Sequence, residues 1–186
     1  MHHIENNMPD DTSSTMGYQR DSLRGFLAYF FRFIFRGVID TIRYLFARKR
    51  KKLYQRLTIG EYVYLLFCIG MCFVNLKATL VVFIVPLLFA RLVMMLGNWT
   101  QHAFIDAVEP ENLYRSSINC INTVYNKTCW NDGYHIIHHL RPGMHYTDMP
   151  AEFLKRKDEF ARQKAIVFDG IHYLHIFTWL LTKRYD

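Results

Sequence analysis

Hydrophobic and polar positions divide the chain into blocks. Residues 1–22 are polar and turn-rich, with an Asp10-Asp11-Thr12-Ser13-Ser14 cluster. From Ser22 to Phe46 the pattern turns aromatic and is punctuated by charge. Arg32, Arg36, Asp40 and Arg43 fall at helical spacing on one face, and Phe30, Ile34, Val38 and Leu45 lie around the other. This predicts an amphipathic helix with a bulky apolar face, suited to lying in a membrane interface. Two apolar blocks follow: Ile59–Leu76, whose one charge is Glu61, and Ala78–Leu96, whose one charge is Arg91. Each has about the 17–25 residues a helix needs to cross a bilayer. Asn75-Leu76-Lys77 between them predicts a tight hairpin, and Tyr62, Tyr64 and Trp99 stand where interfacial aromatics belong. Residues 100–165 are polar, with helices predicted around Leu113–Tyr125 and Ala151–Lys164. Ala165–Thr182 is apolar but interrupted by Asp169, Gly170, His172 and His175, which predicts a packing helix and not a third span.

The expected fold is all-α and integral to a membrane, one domain over residues 1–186. An interfacial helix occupies about 22–46, transmembrane helices about 59–76 and 78–96, and a cap about 97–186. Composition agrees: 51% hydrophobic and 16% aromatic residues exclude a disordered chain. The net charge of +7 acquires meaning from its distribution, because Arg48-Lys49-Arg50-Lys51-Lys52 directly precedes the first apolar block. The positive-inside rule puts that run on the cytoplasmic side, and the hairpin then returns everything after Trp99 to the side of the N-terminus. The basic surplus reads as membrane topology and excludes nucleic acid as the partner. The 4 cysteines form no Cys-x-x-Cys pair, so neither a disulfide framework nor a zinc knuckle is indicated. No signal peptide pattern opens the chain.

Candidate chemistry lies in the histidines. Of 9, six fall in three places that this topology brings to one membrane face: His2 and His3, His102, and His135, His138 and His139. The last three sit in Asn131-Asp132-Gly133-Tyr134-His135-Ile136-Ile137-His138-His139. On a helix His135 shares a face with His138 or His139, while adjacent His138 and His139 diverge by about 100° and can reach two neighbouring metals. Asn98 and His102 form another pair one turn apart. Imidazole suits zinc, copper, iron and nickel, so ligand type alone does not select the metal. Six clustered histidines exceed a closed zinc site and suit a multi-metal redox centre. Asp106 and Asp132, each near a candidate ligand, are candidates to orient imidazoles from behind, with solvated surface charges as the alternative reading. His145 reads as a loop residue, and His172 and His175 as packing residues.

At these residues the chain resembles the membrane-bound fatty-acid desaturases and their hydroxylase relatives. The resemblance rests on Asn131–His139 with its sequel Leu140–Tyr146, on the Asn98/His102 pair after a hairpin, and on His2-His3. It implies a histidine-ligated centre of two irons using dioxygen, with His2, His3, His102, His135, His138 and His139 as ligands and Asn98 reaching a metal through water. It further implies a fatty-acyl lipid substrate, a membrane cytochrome or ferredoxin as electron donor, and a setting in the endoplasmic reticulum, or a plastid or bacterial inner membrane, with the active-site side cytoplasmic. In the family a first His-x(3–4)-His box and the start of a second precede the point where His2-His3 falls, so the chain is expected to be N-terminally truncated. The expected activity is fatty-acyl desaturation. Hydroxylation by the same superfamily, a catalytically inactive membrane fragment and a membrane metal-binding protein without redox chemistry are the alternatives. No Gly-x-Gly-x-x-Gly or His-Pro-Gly-Gly motif is visible, so reducing equivalents are expected from a separate protein.

Overall fold

The computed structural model describes residues 1–184. They are mostly helical and fall into two compact units, Ala28–Met95 and the remainder of the chain on either side of it.

The Ala28–Met95 unit holds most of α2 (Leu23–Ala47), all of α3 (Lys51–Thr79) and the start of α4 (Val85–Gln101). Along α2, Asp40 faces Arg32, Arg36 and Arg43 at 3.9, 3.7 and 4.0 Å. These arginines are solvent-exposed, and such pairs contribute little to stability.

Helix α3 breaks once, at Asn75, whose φ of −159° and ψ of 98° are extended. The Asn75 side chain accepts from the Ala78 amide at 3.0 Å and so caps the helix that resumes. Beyond it the chain widens into a π turn over Leu80–Ile84, which ends two residues before Pro86. A proline ring clashes with the carbonyl four residues back and offers no N–H, and a widened turn relieves both. The two arms face each other. Tyr64 donates to the Phe83 carbonyl at 3.1 Å, the Phe67 and Phe83 rings meet edge to face at 5.1 Å, and Arg91 pairs with Glu61 at 3.5 Å. The single charges of the two apolar blocks therefore neutralise one another.

The helical run Lys51–Gln101 is long and apolar enough to cross a membrane by length and composition, and only 6% of its most apolar stretch is buried. Phe73 and Val74 are 88% and 76% exposed. Such a surface is foreign to a water-soluble domain.

The other unit comprises residues 1–27 and 96–184. Its elements are α1 (His2–Glu5), the last turn of α4, β1 (Asn119–Ile121), α5 (Val124–Thr128), α6 (His135–Leu140), α7 (Met149–Lys155), α8 (Lys157–Arg162), β2 (Val167–Asp169) and α9 (Tyr173–Thr182). One apolar cluster joins Tyr114, Ile136, Ile137, Met149, Phe153 and Phe160; a second joins Ile118, Cys120, Tyr173, Ile176 and Leu180.

Three local expectations change, the first in part: Ala165–Thr182 is helical only over α9, and its start forms β2. Leu113–Tyr125 is not a helix: after a turn through Ser116-Ser117 the chain extends, and β1 pairs in parallel with β2, Cys120 opposite Phe168. Serines favour turns over helix interiors, and Ile118 and Cys120 gain full burial against α9. Trp99 is not an interfacial aromatic either. It is fully buried, donating to the Arg20 carbonyl at 3.1 Å with Phe26 at 5.6 Å, and it fastens the chain before α2 to α4.

Candidate metal centre

Helix α6 is six residues long and has no solvated face. Ile136 and Ile137 fill the apolar cluster on one side, while His135 and His139 are buried on the other. Its start is pinned from three directions. Asn119 of β1 accepts from the Ile136 amide at 2.8 Å, Gly133 donates its amide to Asn126 at 2.9 Å, and the Cys120 amide donates to the Gly133 carbonyl at 2.7 Å. Gly133 admits no side chain, because a Cβ there would lie 2.1 Å from the Cys120 carbonyl oxygen. Gly133→Ala is therefore expected to destabilise the chain by about 3 kcal/mol or more, at the upper end of overpacking effects. Denaturant unfolding monitored by circular dichroism measures this, and an unchanged midpoint would contradict the fit.

Four imidazoles converge. His2, His102, His135 and His139 place a ring nitrogen each within 4.8 Å of one another, and all but His2 are buried. His2 Nε2 lies 3.1 Å from His102 Nε2, and His135 Nε2 lies 3.1 Å from His139 Nε2. The tautomers of the first pair follow from their other nitrogens. His102 Nδ1–H donates to the Ser116 carbonyl at 2.6 Å, and His2 Nδ1–H donates to Asp11 at 2.5 Å. With both imidazoles neutral, as metal ligation requires, the two Nε2 atoms present lone pairs to each other, an arrangement that a metal cation between them would resolve. Burial lowers the His102 pKa well below normal, with the neighbouring His135 adding to the effect, so His102 stays neutral and keeps its Nε2 lone pair turned inward. The all-nitrogen donor set fits a transition metal, iron among them.

His3 and His138 form a second, looser group. Their rings meet edge to face at 4.2 Å, His3 lies 5.1 Å from His139, and His135 lies 5.8 Å from His138. His138 and His139 thus point to different groups, as their divergence on a helix requires.

The remaining candidates divide. Asp132 is 3.8 Å from His135 Nδ1, beyond hydrogen-bond reach but within ion-pair range, and accepts from Gln101 at 2.9 Å and Tyr125 at 3.2 Å. Asp106 is not brought to the histidines; it pairs with Arg115 at 3.0 Å. Asn98 is buried and donates its amide to the Ser13 carbonyl at 3.0 Å. His145 is exposed on its loop, and His172 and His175 cap the start of α9.

Sequence reasoning missed Asp11. Its side chain is fully buried, accepting at one oxygen from His2 and the Asn7 amide and at the other from the amide and hydroxyl of Ser13. Burial by itself would raise its pKa; the hydrogen bond and charge of His2 outweigh this and lower it to about 2. The polar opening of the chain is thus an internal scaffold. Asn6 and Asn7 take left-handed φ of 45° and 63°, Asn7 binds Thr15, and Asn6 donates to Ser116, whose carbonyl orients His102. The signal available was Asn6-Asn7 followed by Asp-x-Ser, residue types that form such turns.

A family model described as fatty acid desaturase matches residues 1–170. The chain belongs to the fatty acid desaturase family. Comparison with curated proteins and with solved structures gives no match. At the family level this makes it an oxidoreductase-type enzyme with a lipid substrate and a membrane context, and all four converging histidines lie inside the matched residues.

Acid sensitivity follows from the same burial. His3 is lowered to about 4, chiefly by burial and then by His138, and His102, His135, His138 and His139 are lowered with burial as the leading cause. Below pH ~6.5 the unfolded chain takes up protons that the folded desaturase-family site refuses, so stability is lost as pH falls. The metal-free chain is expected to melt lower at pH 5.5 than at 7.5 in thermal scans, and an equal melting point at both would contradict this.

Proposed function

We propose that the protein is a fatty-acyl desaturase held in a membrane by the Lys51–Gln101 hairpin, using iron bound by His2, His102, His135 and His139, with His3 and His138 contributing to a second iron. The convergence of four imidazoles, with two Nε2–Nε2 pairs at 3.1 Å, carries this reading. Bound iron supplies the one-electron chemistry with dioxygen that removes hydrogen from an unactivated methylene, which no side chain can do. The chain's own groups have three tasks. Asp11 and the Ser116 carbonyl hold His2 and His102 in the tautomer that aims Nε2 inward. Asp11 and Asp132 place two carboxylates behind neutral imidazoles and offset the positive charge of the centre. Ile136, Ile137 and their cluster close the far side of α6 against water.

An apolar tail as substrate is further supported within the Ala28–Met95 unit. There a groove of about 390 Å³ is lined by Ile34, Val38, Ile42, Leu65 and Leu87, among others. Electrons come from a membrane cytochrome or ferredoxin, and the setting is the endoplasmic reticulum with the histidines facing the cytoplasm.

Deleting the gene in its own cell and profiling total lipids by mass spectrometry tests the activity. One class of acyl chain should lose its double bond. Loss of a hydroxylated class instead would select hydroxylation, and an unchanged profile in cells that normally express the protein would overturn the proposal.

A further inference from the structure

The turn between α2 and α3 and the first two residues of α3 carry five consecutive cations, Arg48 to Lys52, all exposed. The reversal is tight. The Lys49 amide donates to the Phe46 carbonyl at 3.0 Å and the Arg50 amide to Leu45 at 2.9 Å, with Lys49 in the left-handed region at φ 57°. Five like charges are thereby crowded on one corner of the fold. Arg48 lies over the Tyr44 ring at 5.2 Å, whereas no carboxylate among the described residues stands within ion-pair reach of Lys49, Arg50, Lys51 or Lys52. Lys49, Arg50, Lys51 and Lys52, crowded together, therefore repel one another until an anion arrives.

The same corner is concave and largely apolar. A cleft of about 760 Å³ is lined by Phe46, Ala47, Lys49, Lys51, Tyr54 and Gln55, with the Phe46 and Tyr54 rings edge to face at 5.9 Å. Phe46 is 71% exposed and Leu53 51% exposed beside the cations. The first turn of α3, a 29-residue helix, adds its positive end to the two ammonium groups.

We propose that this cleft binds the headgroup of an anionic membrane phospholipid, its phosphate between Lys49 and Lys51 and its glycerol and upper acyl carbons on Phe46 and Tyr54. The pairing of charge with exposed apolar surface selects this occupant. A free phosphate leaves Phe46 and Leu53 in water, and so does a nucleic-acid backbone, whereas a lipid covers both kinds of surface. The proposal rests on the membrane part of the proposed function, but headgroup binding and membrane insertion are read by separate measurements.

The test uses the purified full chain in a zwitterionic detergent, titrated with dioctanoyl phosphatidic acid. Binding is expected, with dioctanoyl phosphatidylcholine bound much more weakly. The double substitution Lys49→Gln/Lys51→Gln should weaken phosphatidic acid about tenfold or more, at roughly the worth of two lysines at an anionic surface. Lys155→Gln/Lys157→Gln, of equal charge change on α7 and α8, should leave binding unchanged, and circular dichroism confirms that each variant folds. Equal affinity for both lipids overturns the proposal, as does an unaffected Lys49/Lys51 variant. Inorganic phosphate bound as tightly as the lipid would reassign the cleft to free anions, and displacement of lipid by a stoichiometric single-stranded RNA would reassign it to nucleic acid. Alkaline extraction of cell membranes reads insertion independently. A chain released by alkali that still binds phosphatidic acid would remove the membrane reading and keep the cleft, and the converse would remove the cleft alone.

Discussion

His139→Ala is expected to remove tightly held metal from the purified chain, and His138→Ala to leave it in place. The two residues are adjacent on α6 and chemically identical, so sequence position alone offers no reason for a difference. Geometry does. His139 Nε2 is 3.1 Å from His135 Nε2 within the four-imidazole set, and His138 faces His3 outside it. Losing one of four converging nitrogens should reduce affinity at least about a hundredfold, ~2.7 kcal/mol, the upper end of what even an orienting partner contributes. His138→Ala should lower only the occupancy of a second, weaker site. Elemental analysis after dialysis against a mild chelator separates the cases. One metal is expected per wild-type and His138→Ala chain and none per His139→Ala chain, with circular dichroism showing the helices retained. Equal metal loss in the two variants would mean that the histidines act as one undivided centre.

The sequence marks its candidate ligands more clearly than the structure that supports them. His-x-x-His-His at helical spacing requires a shared face, and the break at Asn75-Leu76-Lys77 required a reversal between two apolar arms; both are matters of local periodicity. Supporting contacts are not periodic. Asp11 reaches His2 across a loop whose composition looks solvated, because serine, asparagine and aspartate are as common in buried turn networks as in exposed turns. The pairing of β1 with β2 joins residues 48 positions apart, Asn119 with Val167, and each strand has only three residues, too short for an alternation to register. Trp99 at the end of an apolar helix looks the same in sequence whether it meets lipid headgroups or, as here, the Arg20 carbonyl. In each case the deciding partner is remote in sequence, and local pattern carries no trace of it.

That remote support makes Asp11 the position where a change of one atom is expected to cost most. Both carboxylate oxygens are acceptors: one takes His2 Nδ1–H and the Asn7 amide, the other the amide and hydroxyl of Ser13. In Asp11→Asn the new NH₂ must face one of these pairs of donors. Facing Ser13, it sets donor against donor in a buried site; facing His2, it forces the imidazole to accept at Nδ1 and to carry its proton on Nε2. In that tautomer His2 cannot be a ligand. Metal affinity is therefore expected to fall about tenfold to a hundredfold, measured by competition with a chromophoric chelator. The metal-free chain should also lose stability at neutral pH. With a folded pKa of about 2, below the ordinary 3.8, Asp11 contributes stability that is complete above pH ~4 and lost as pH falls through about 2. The asparagine variant lacks that contribution at every pH, so the melting-point gap between the two proteins should be open at pH 7 and close toward pH 2. An affinity unchanged by Asp11→Asn would show that His2 finds its orientation without the carboxylate, and the N-terminal scaffold would then serve only the fold.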